Sequence, residues 1–249
     1  MKVLTVIPCR MNASRLPGKP LLNILGKPLI QHVYEGVKSA KKVDKFIVAT
    51  DSQEILNCVA GFGGEAIITS AKHNTGTERV AEVAAKFSGY EIVLNVQGDE
   101  PLVTGEMLDQ LATPLINNPK IHMTALKGRL TNIEDINDPS IVKVVTNSQN
   151  IALYYSRLPI PYPRHKTDCY YRNKGIYGFR RSFLLEFPNL PCGPLELAES
   201  LEQLRALENG KQIYVSQTDV ITHGVNTPAD VPVVEKALRE KLRNTVTKP

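Results

Sequence analysis

The sequence predicts an α/β fold, a mostly parallel Rossmann-like sheet with an inserted strand-rich lobe, and three observations carry that prediction. Short β-branched apolar runs alternate with amphipathic stretches through the first 120 residues or so. Beyond that point the alternation gives way to closely spaced strand-like runs. No internal repeat or low-complexity linker divides the 249 residues, a length suited to one large domain. The chain therefore reads as a single domain, with residues 1–120 forming one half and 121–249 the other.

The elements follow in order. "VLTVI", from Val3 to Ile7, is apolar on both faces and fits a buried strand bounded by Pro8. "LIQHVYEGVKSA" places Leu29, Ile30, Val33 and Val37 on one helical stripe, with Pro28 suited to its first turn. "FIVAT" is the next strand, after which Asp51 and Glu54 read as a capping box opening a helix. "EAIIT", the helix "GTERVAEVAAKF" and "EIVLNV" complete the alternating half, which implies parallel pairing with right-handed crossovers. "MTALK", "IVKVVT" and "IALYYS" are strand-like, the last two joined by a hairpin turn at "NSQN". "NKGIYGFR" reads as a further strand, and a helix is expected over 196–208. Thr227 and Pro228 read as N-cap and first helical residue of a C-terminal helix.

Composition excludes several classes. Apolar content of 42% and charged content of 22% are ordinary for a globular protein. No apolar run reaches the length of a membrane span or a signal-peptide core, so a cytoplasmic protein is expected. The four cysteines are scattered without pairing motifs, and the histidines lack metal-ligand spacing. A net charge of +5 permits anionic ligands, but no basic run is interleaved with aromatics as nucleic-acid binding would require.

Candidate chemistry collects where such sheets bind ligands, beyond the carboxyl ends of the parallel strands. The loop after Ile7 carries Arg10, Arg15 and Lys19 among Pro17, Gly18 and Pro20. Forked guanidinium groups, a point charge and a glycine suit a polyphosphate, whereas a stiff solvated loop would show the same residues. Asp99 in "VQGDEP" follows a buried strand, where a carboxylate can hold Mg²⁺ against phosphates; an acidic turn is the bland alternative. "NTGTER" reads alone as a capped helix start. Tyr154 and Tyr155 read as packing residues, and Glu196, Glu199 and Glu202 as a solvated helix face.

In order along nearly the whole chain, "IPCRMNASRLPGKPL", "VATDSQEI", "NTGTERVAEV", "VLNVQGDEP", "VKVV", "ALYYSRLPIP", "GIYGFR", "LEQLRAL" and "GVNTPAD" resemble the CMP-Kdo synthetases, the 3-deoxy-manno-octulosonate cytidylyltransferases. The resemblance implies a nucleotidyltransferase fold and transfer of CMP from CTP to a 3-deoxy sugar acid. It assigns CTP contacts to Pro8, Arg10, Ser14, Arg15, Lys19, Gly76, Thr77, Arg79 and Asp99, with Arg10, Lys19 and Asp99 catalytic. It assigns the sugar acid to Gln97, Arg157, Asn173, Tyr177, Glu202 and Gln203, and Mg²⁺ to Asp99 and Asn226. It further implies a homodimer whose subunits meet near "SRLPIPYPR", and a role in lipopolysaccharide biosynthesis.

The departures fall mostly in the second half. "GVNTPAD" stands where the family has "GVDTPED", so Asn226 replaces a metal carboxylate. "NKGIYGF" places Asn173 and Lys174 where the family has His and Leu. A faithful nucleotide half beside an altered acceptor half is compatible with Kdo or with its 8-amino-3,8-dideoxy analogue. A catalytically weak CTP-binding protein and a cytidylyltransferase for a sialic-type nonulosonic acid are the alternatives.

Overall fold

The computed structural model describes residues 1–11, 16–165 and 167–246. Strand β1 (Val3–Cys9) is buried along its whole length. A small hairpin of β2 (Asn23–Ile24) and β3 (Lys27–Pro28) leads into helix α1 (Leu29–Val37). Then come β4 (Lys45–Thr50), α2 (Gln53–Gly61), β5 (Ala66–Ile68), α3 (Gly76–Lys86), β6 (Ile92–Asn95) and α4 (Gly105–Asn117). Strands β6, β1, β4 and β5 lie side by side, every pair parallel, with Val6 opposite both Ile47 and Asn95.

The period of two along β1 sends its residues to opposite layers. Val3 and Ile7 pack with Val33 of α1, Val59 of α2 and Leu111 of α4. Leu4 and Val6 pack with Val80 and Val83 of α3 on the other face. A strand buried on both sides has no use for polar alternation, which is why the run is continuously apolar.

The second half builds onto the same sheet. It adds β7 (Met123–Arg129), α5 (Ile133–Asn137), β8 (Lys143–Thr146), β9 (Ala152–Ser156) and β10 (Tyr171–Arg180), followed by α6 (Arg181–Glu186). Helices α7 (Pro194–Glu199) and α8 (Gln203–Glu208), strand β11 (Ile213–Gln217) and helix α9 (Asp230–Val246) complete the chain. Strand β10 runs antiparallel to β6 on one side and β7 on the other, and β11 joins β7 in parallel. The β8–β9 hairpin hangs from β10 through Arg172 and Lys143. Phe179, Phe183 and Phe187 stack tilted or edge-on with centroids 5.8–6.4 Å apart and tie β10 and α6 to the face that receives α3.

Three local expectations are corrected. The helix expected over 196–208 is two short helices, α7 and α8, separated by Ser200 in the left-handed region (φ 51°). Helix α2 is capped by Ser52, whose side chain accepts from the Ile55 N–H; Asp51 is occupied elsewhere. Helix α9 starts at Asp230, after a turn over 227–229. The Asp230 carboxylate reaches back to accept from the backbone N–H groups of Asn226 and Thr227 and from the Thr227 hydroxyl, tying the helix start to the turn ahead of it. Among the described residues no helix is long and apolar enough to cross a membrane.

Candidate active site

The carboxyl ends of β1, β4 and β6 lie along one edge, as their parallel registers require. The loop leaving β1 presents Arg10 to solvent. Gly18 adopts φ +70°, a conformation that disfavours any side chain, and its N–H bonds the Met11 carbonyl at 3.1 Å. That bend starts a 3-10 turn over Lys19–Leu21, with Pro20 in its first positions. Lys19 then points across the edge, its Nζ 2.5 Å from Oδ2 of Asp99 in the turn after β6. Ser14 and Arg15 lie outside the described residues.

Opposite stands the N-terminus of α3. Thr75 caps it by accepting from the Glu78 N–H at 3.2 Å. A Cβ on Gly76 would lie 3.3 Å from both Pro8 and Gln97, so glycine lets the helix start close under the β1 loop. Between these walls is a cavity of about 340 Å³ lined by Pro8, Arg10, Lys19, Gly76, Asp99 and Asn226, among others. The expected Arg79 and Gln97 line it too, and so do Asn74, the first residue of "NTGTER" but given no role there, and His73, which sequence reasoning passed over. The only sequence signal for His73 was adjacency to "NTGTER".

Arg79 is 4% exposed and donates to Thr69 Oγ1 at 2.5 Å and to Asp51 Oδ2 at 2.8 Å. It braces the ends of β4 and β5 beneath the cavity, with both terminal nitrogens engaged. Cys9, buried below the same floor, is held as the neutral thiol by burial and by the charge of Asp99.

Four of the residues assigned to the sugar acid, Asn173, Tyr177, Glu202 and Gln203, are off the lining of this cavity. Glu202 accepts from Thr75 at 2.9 Å and from Thr77 at 2.7 Å, linking α8 to the start of α3. Its carboxyl is raised by burial, against which the two threonine bonds work. Thr77 accepts from the Asn95 amide at 3.3 Å, and Asn95 accepts from Gln97 at 3.2 Å. The Asn173 amide donates to the Tyr177 hydroxyl at 2.7 Å, and burial lifts that phenol well above its usual range. Asn173 Oδ1, Gln203 Nε2 and the Tyr155 hydroxyl are buried without a hydrogen-bond partner. Buried polar atoms are usually paired, so these three have hydrogen-bonding capacity left over for a polar molecule.

Arg157 is placed differently. Its guanidinium donates to the carbonyls of Glu199, Pro139 and Ser200, fastening the chain after β9 to the α7 end. The expected solvated glutamates are all engaged: Glu196 holds Arg205 in a two-point ion pair, and Glu199 accepts from Ser156 and the Arg157 N–H. Lys174 is buried and bonds the Val220 carbonyl at 2.8 Å, away from the main cavity.

Among the described residues no group of three His, Cys, Asp or Glu side chains could by itself hold a metal ion. Asp99 and Asn226 do offer two hard oxygen donors on the wall of the anion-ready cavity. That set fits Mg²⁺, which commonly takes one or two protein ligands and completes its shell with phosphates and water.

Comparison with known proteins agrees with the geometry. A family model described as cytidylyltransferase matches residues 4–213. A 3-deoxy-manno-octulosonate cytidylyltransferase of Syntrophotalea carbinolica is 47% identical over 249 residues, covering 96% of this chain and 99% of its own. One from Geobacter sulfurreducens is 46% identical, covering 98% of this chain and 100% of its own. The structure of a CMP:2-keto-3-deoxy-manno-octonic acid synthetase complexed with CTP superimposes with a TM-score of 0.92 at 41% identity, over 97% of this chain and 100% of that one.

Proposed function

Because the chain belongs to the cytidylyltransferase family, among the 3-deoxy-manno-octulosonate cytidylyltransferases, we propose that it transfers CMP from CTP to 3-deoxy-manno-octulosonate (Kdo), for lipopolysaccharide biosynthesis. The sugar's anomeric hydroxyl gives up its proton to solvent as its oxygen attacks the α-phosphorus, the bond from that phosphorus to the oxygen bridging to the β-phosphate breaks, and pyrophosphate leaves with the electron pair. The observation that carries this reading at the site is the Lys19–Asp99 pair at 2.5 Å on the wall of the Arg10-lined cavity.

That pair is an arrangement in waiting. A triphosphate entering the cavity offers Lys19 new anionic partners and frees the Asp99 carboxylate for a cation. Arg10 and Lys19 then neutralise charge as it builds on the departing pyrophosphate, and each such donor contributes on the order of a few kcal/mol to the transition state. Asp99 and Asn226 would hold Mg²⁺, which supplies positive charge to phosphate oxygens and acidifies a hydroxyl brought against it. Asn226 brings a donor oxygen without charge, so metal binding depends on nucleotide more than it would with a second carboxylate.

The acceptor sits beside Tyr177 against Asn173, Gln203 and Tyr155, whose unpartnered atoms pair with sugar hydroxyls. Kdo is the acceptor of this reading. Lys174 gives no support to an amino-sugar pocket, because its ammonium is turned onto the Val220 carbonyl. The extended segment after β9 exposes Leu158 (70%) and Tyr162 (87%), apolar surface that suits the contact between two subunits of a homodimer. A reaction that consumes CTP fits the cytoplasm.

The test is pyrophosphate release with CTP and Mg²⁺, comparing Kdo with 8-amino-Kdo at matched concentrations. Higher kcat/KM with Kdo is expected. A strong preference for the amino sugar would overturn the acceptor assignment, and no release with either would overturn the activity.

A further inference from the structure

A second cavity, of about 250 Å³, opens between β7, the Arg172 and Lys174 end of β10, and the segment 218–222 that follows β11. It is lined by Lys174, which is only 7% exposed and, like Lys127 and Lys143, is buried although a lysine's charge ordinarily stays in water. Burial, reinforced by the charge of Arg172 and opposed by Glu100 and Asp219, holds its ammonium at about 8, below the usual lysine range. Something in the fold makes room for this cost. Gly128 does so on one side, since a Cβ there would lie 2.5 Å from Lys174 Cε and 2.8 Å from Nζ. On the other side the ammonium donates to the Val220 carbonyl at 2.8 Å.

The segment held in this way leads directly to the main site. From Val220 it passes Gly224, where a Cβ would lie 2.8 Å from Glu100 Oε1, so glycine lets it run against that carboxyl. The Val225 N–H then bonds the Asp99 carbonyl at 2.9 Å, and Asn226 follows on the cavity wall. Glu100, the neighbour of Asp99, has one carboxyl oxygen buried without a hydrogen-bond partner and feels both Lys174 and Arg172 as charges. One hydrogen bond from a buried ammonium therefore holds the segment that carries Asn226, and that segment in turn bonds the backbone of Asp99.

We infer that Lys174 is a positioning residue for the Asp99–Asn226 pair: anchored over Gly128, it fixes the segment 218–226 against the Asp99–Glu100 turn so that both oxygen donors face one point. The inference rests on the proposed reading that these two residues hold Mg²⁺. Lys174 touches neither substrate nor metal. Its contribution is to remove the freedom of a segment that otherwise spans from β11 to α9 without strand or helix.

The experiment measures CTP binding by calorimetry as a function of Mg²⁺, without acceptor so that no turnover occurs, alongside thermal unfolding. Lys174→Met keeps the aliphatic stem and removes the ammonium; it is expected to need about tenfold more Mg²⁺ for half-maximal effect, the usual scale for a lost group behind metal ligands. Lys174→Arg restores most of that loss. Val59→Ala, a core truncation in α2, lowers the unfolding temperature and leaves the Mg²⁺ requirement unchanged. Gly128→Ala displaces the ammonium while preserving its charge, and gives the same weakening should Lys174→Met fold poorly. An unchanged Mg²⁺ requirement in Lys174→Met or Gly128→Ala, with reduced unfolding temperature, would make Lys174 a packing residue and overturn the inference alone. CTP binding that ignores Mg²⁺ in the unaltered chain would overturn the metal reading and this inference together.

Discussion

In the proposed reading, the nucleotide half and the acceptor half solve opposite problems. The first is an open cavity whose charges already neutralise one another, Lys19 against Asp99 at its wall and Arg79 against Asp51 beneath it. The second is a closed group of neutral side chains from β9, β10 and α8, with three polar atoms buried and unpaired. A polyanion is recognised by exchanging one ionic partner for another, which needs mobile charges near water. A sugar is recognised by hydroxyl-by-hydroxyl pairing, which needs fixed neutral donors and acceptors whose desolvation is already complete. Thr75, Thr77 and Glu202 join the two, so the nucleotide end of α3 and the acceptor helix α8 are one hydrogen-bonded unit.

Removing charge from the first half gives the largest effect. Lys19→Ala and Asp99→Asn should each lower kcat/KM by about 10² or more, the scale seen when one electrostatic donor to a transition state is lost. Circular dichroism should show both variants folded. Near-normal turnover in either would remove the pair from the mechanism. Deleting single groups from the second half costs less. Gln203→Ala and Asn173→Ala should each lower kcat/KM for Kdo about tenfold, one hydrogen bond's worth of about 1.4 kcal/mol, with the KM for CTP unchanged. A rise in the KM for CTP would show the two halves to be less separate than the geometry indicates.

Restoring charge sharpens the contrast further. Asn226→Asp should reduce the Mg²⁺ needed for half-maximal rate about fivefold, as about 1 kcal/mol of added attraction would. An unchanged Mg²⁺ requirement would place Asn226 away from the metal. The smallest effect concerns stability. Burial alone would raise the Glu82 carboxyl, but Lys86, His73 and the Ser70 N–H outweigh it and hold it at about 2, below its ordinary 4.5. Its folded-state value is the lower one, so its contribution is complete above about pH 4.5 and disappears as pH falls toward 2. Glu82→Gln should therefore cost about 1 kcal/mol at pH 7 and almost nothing near pH 2, read from urea unfolding at both.

The two halves also differed in how far the sequence revealed them. The parallel strands were legible because full burial leaves a continuous apolar signature, and β1, β4 and β6 fell where the pattern put them. The Lys19 loop and Asp99 were legible as candidates because charge and proline beside a core strand are conspicuous. The break between α7 and α8 was not, since it rests on Ser200 adopting a left-handed conformation that no glycine announces. Nor was the engagement of Glu196, Glu199 and Glu202, whose helical spacing looked solvated while their partners, Arg205, Ser156 and Thr75, come from other segments. Arg157 reads identically as a sugar ligand or a staple until the carbonyls of Glu199 and Pro139 are brought to it by the fold.

The separation of the halves is tested most directly by titrating CTP with Mg²⁺, in the absence of Kdo, into Lys19→Ala and Gln203→Ala. The account predicts CTP affinity reduced at least about tenfold in the first, the scale of one lost charge-assisted bond of ~1.5 kcal/mol or more, and unchanged in the second. Equal losses in both would contradict it, and would mean that the nucleotide reaches into the neutral pocket assigned to the sugar.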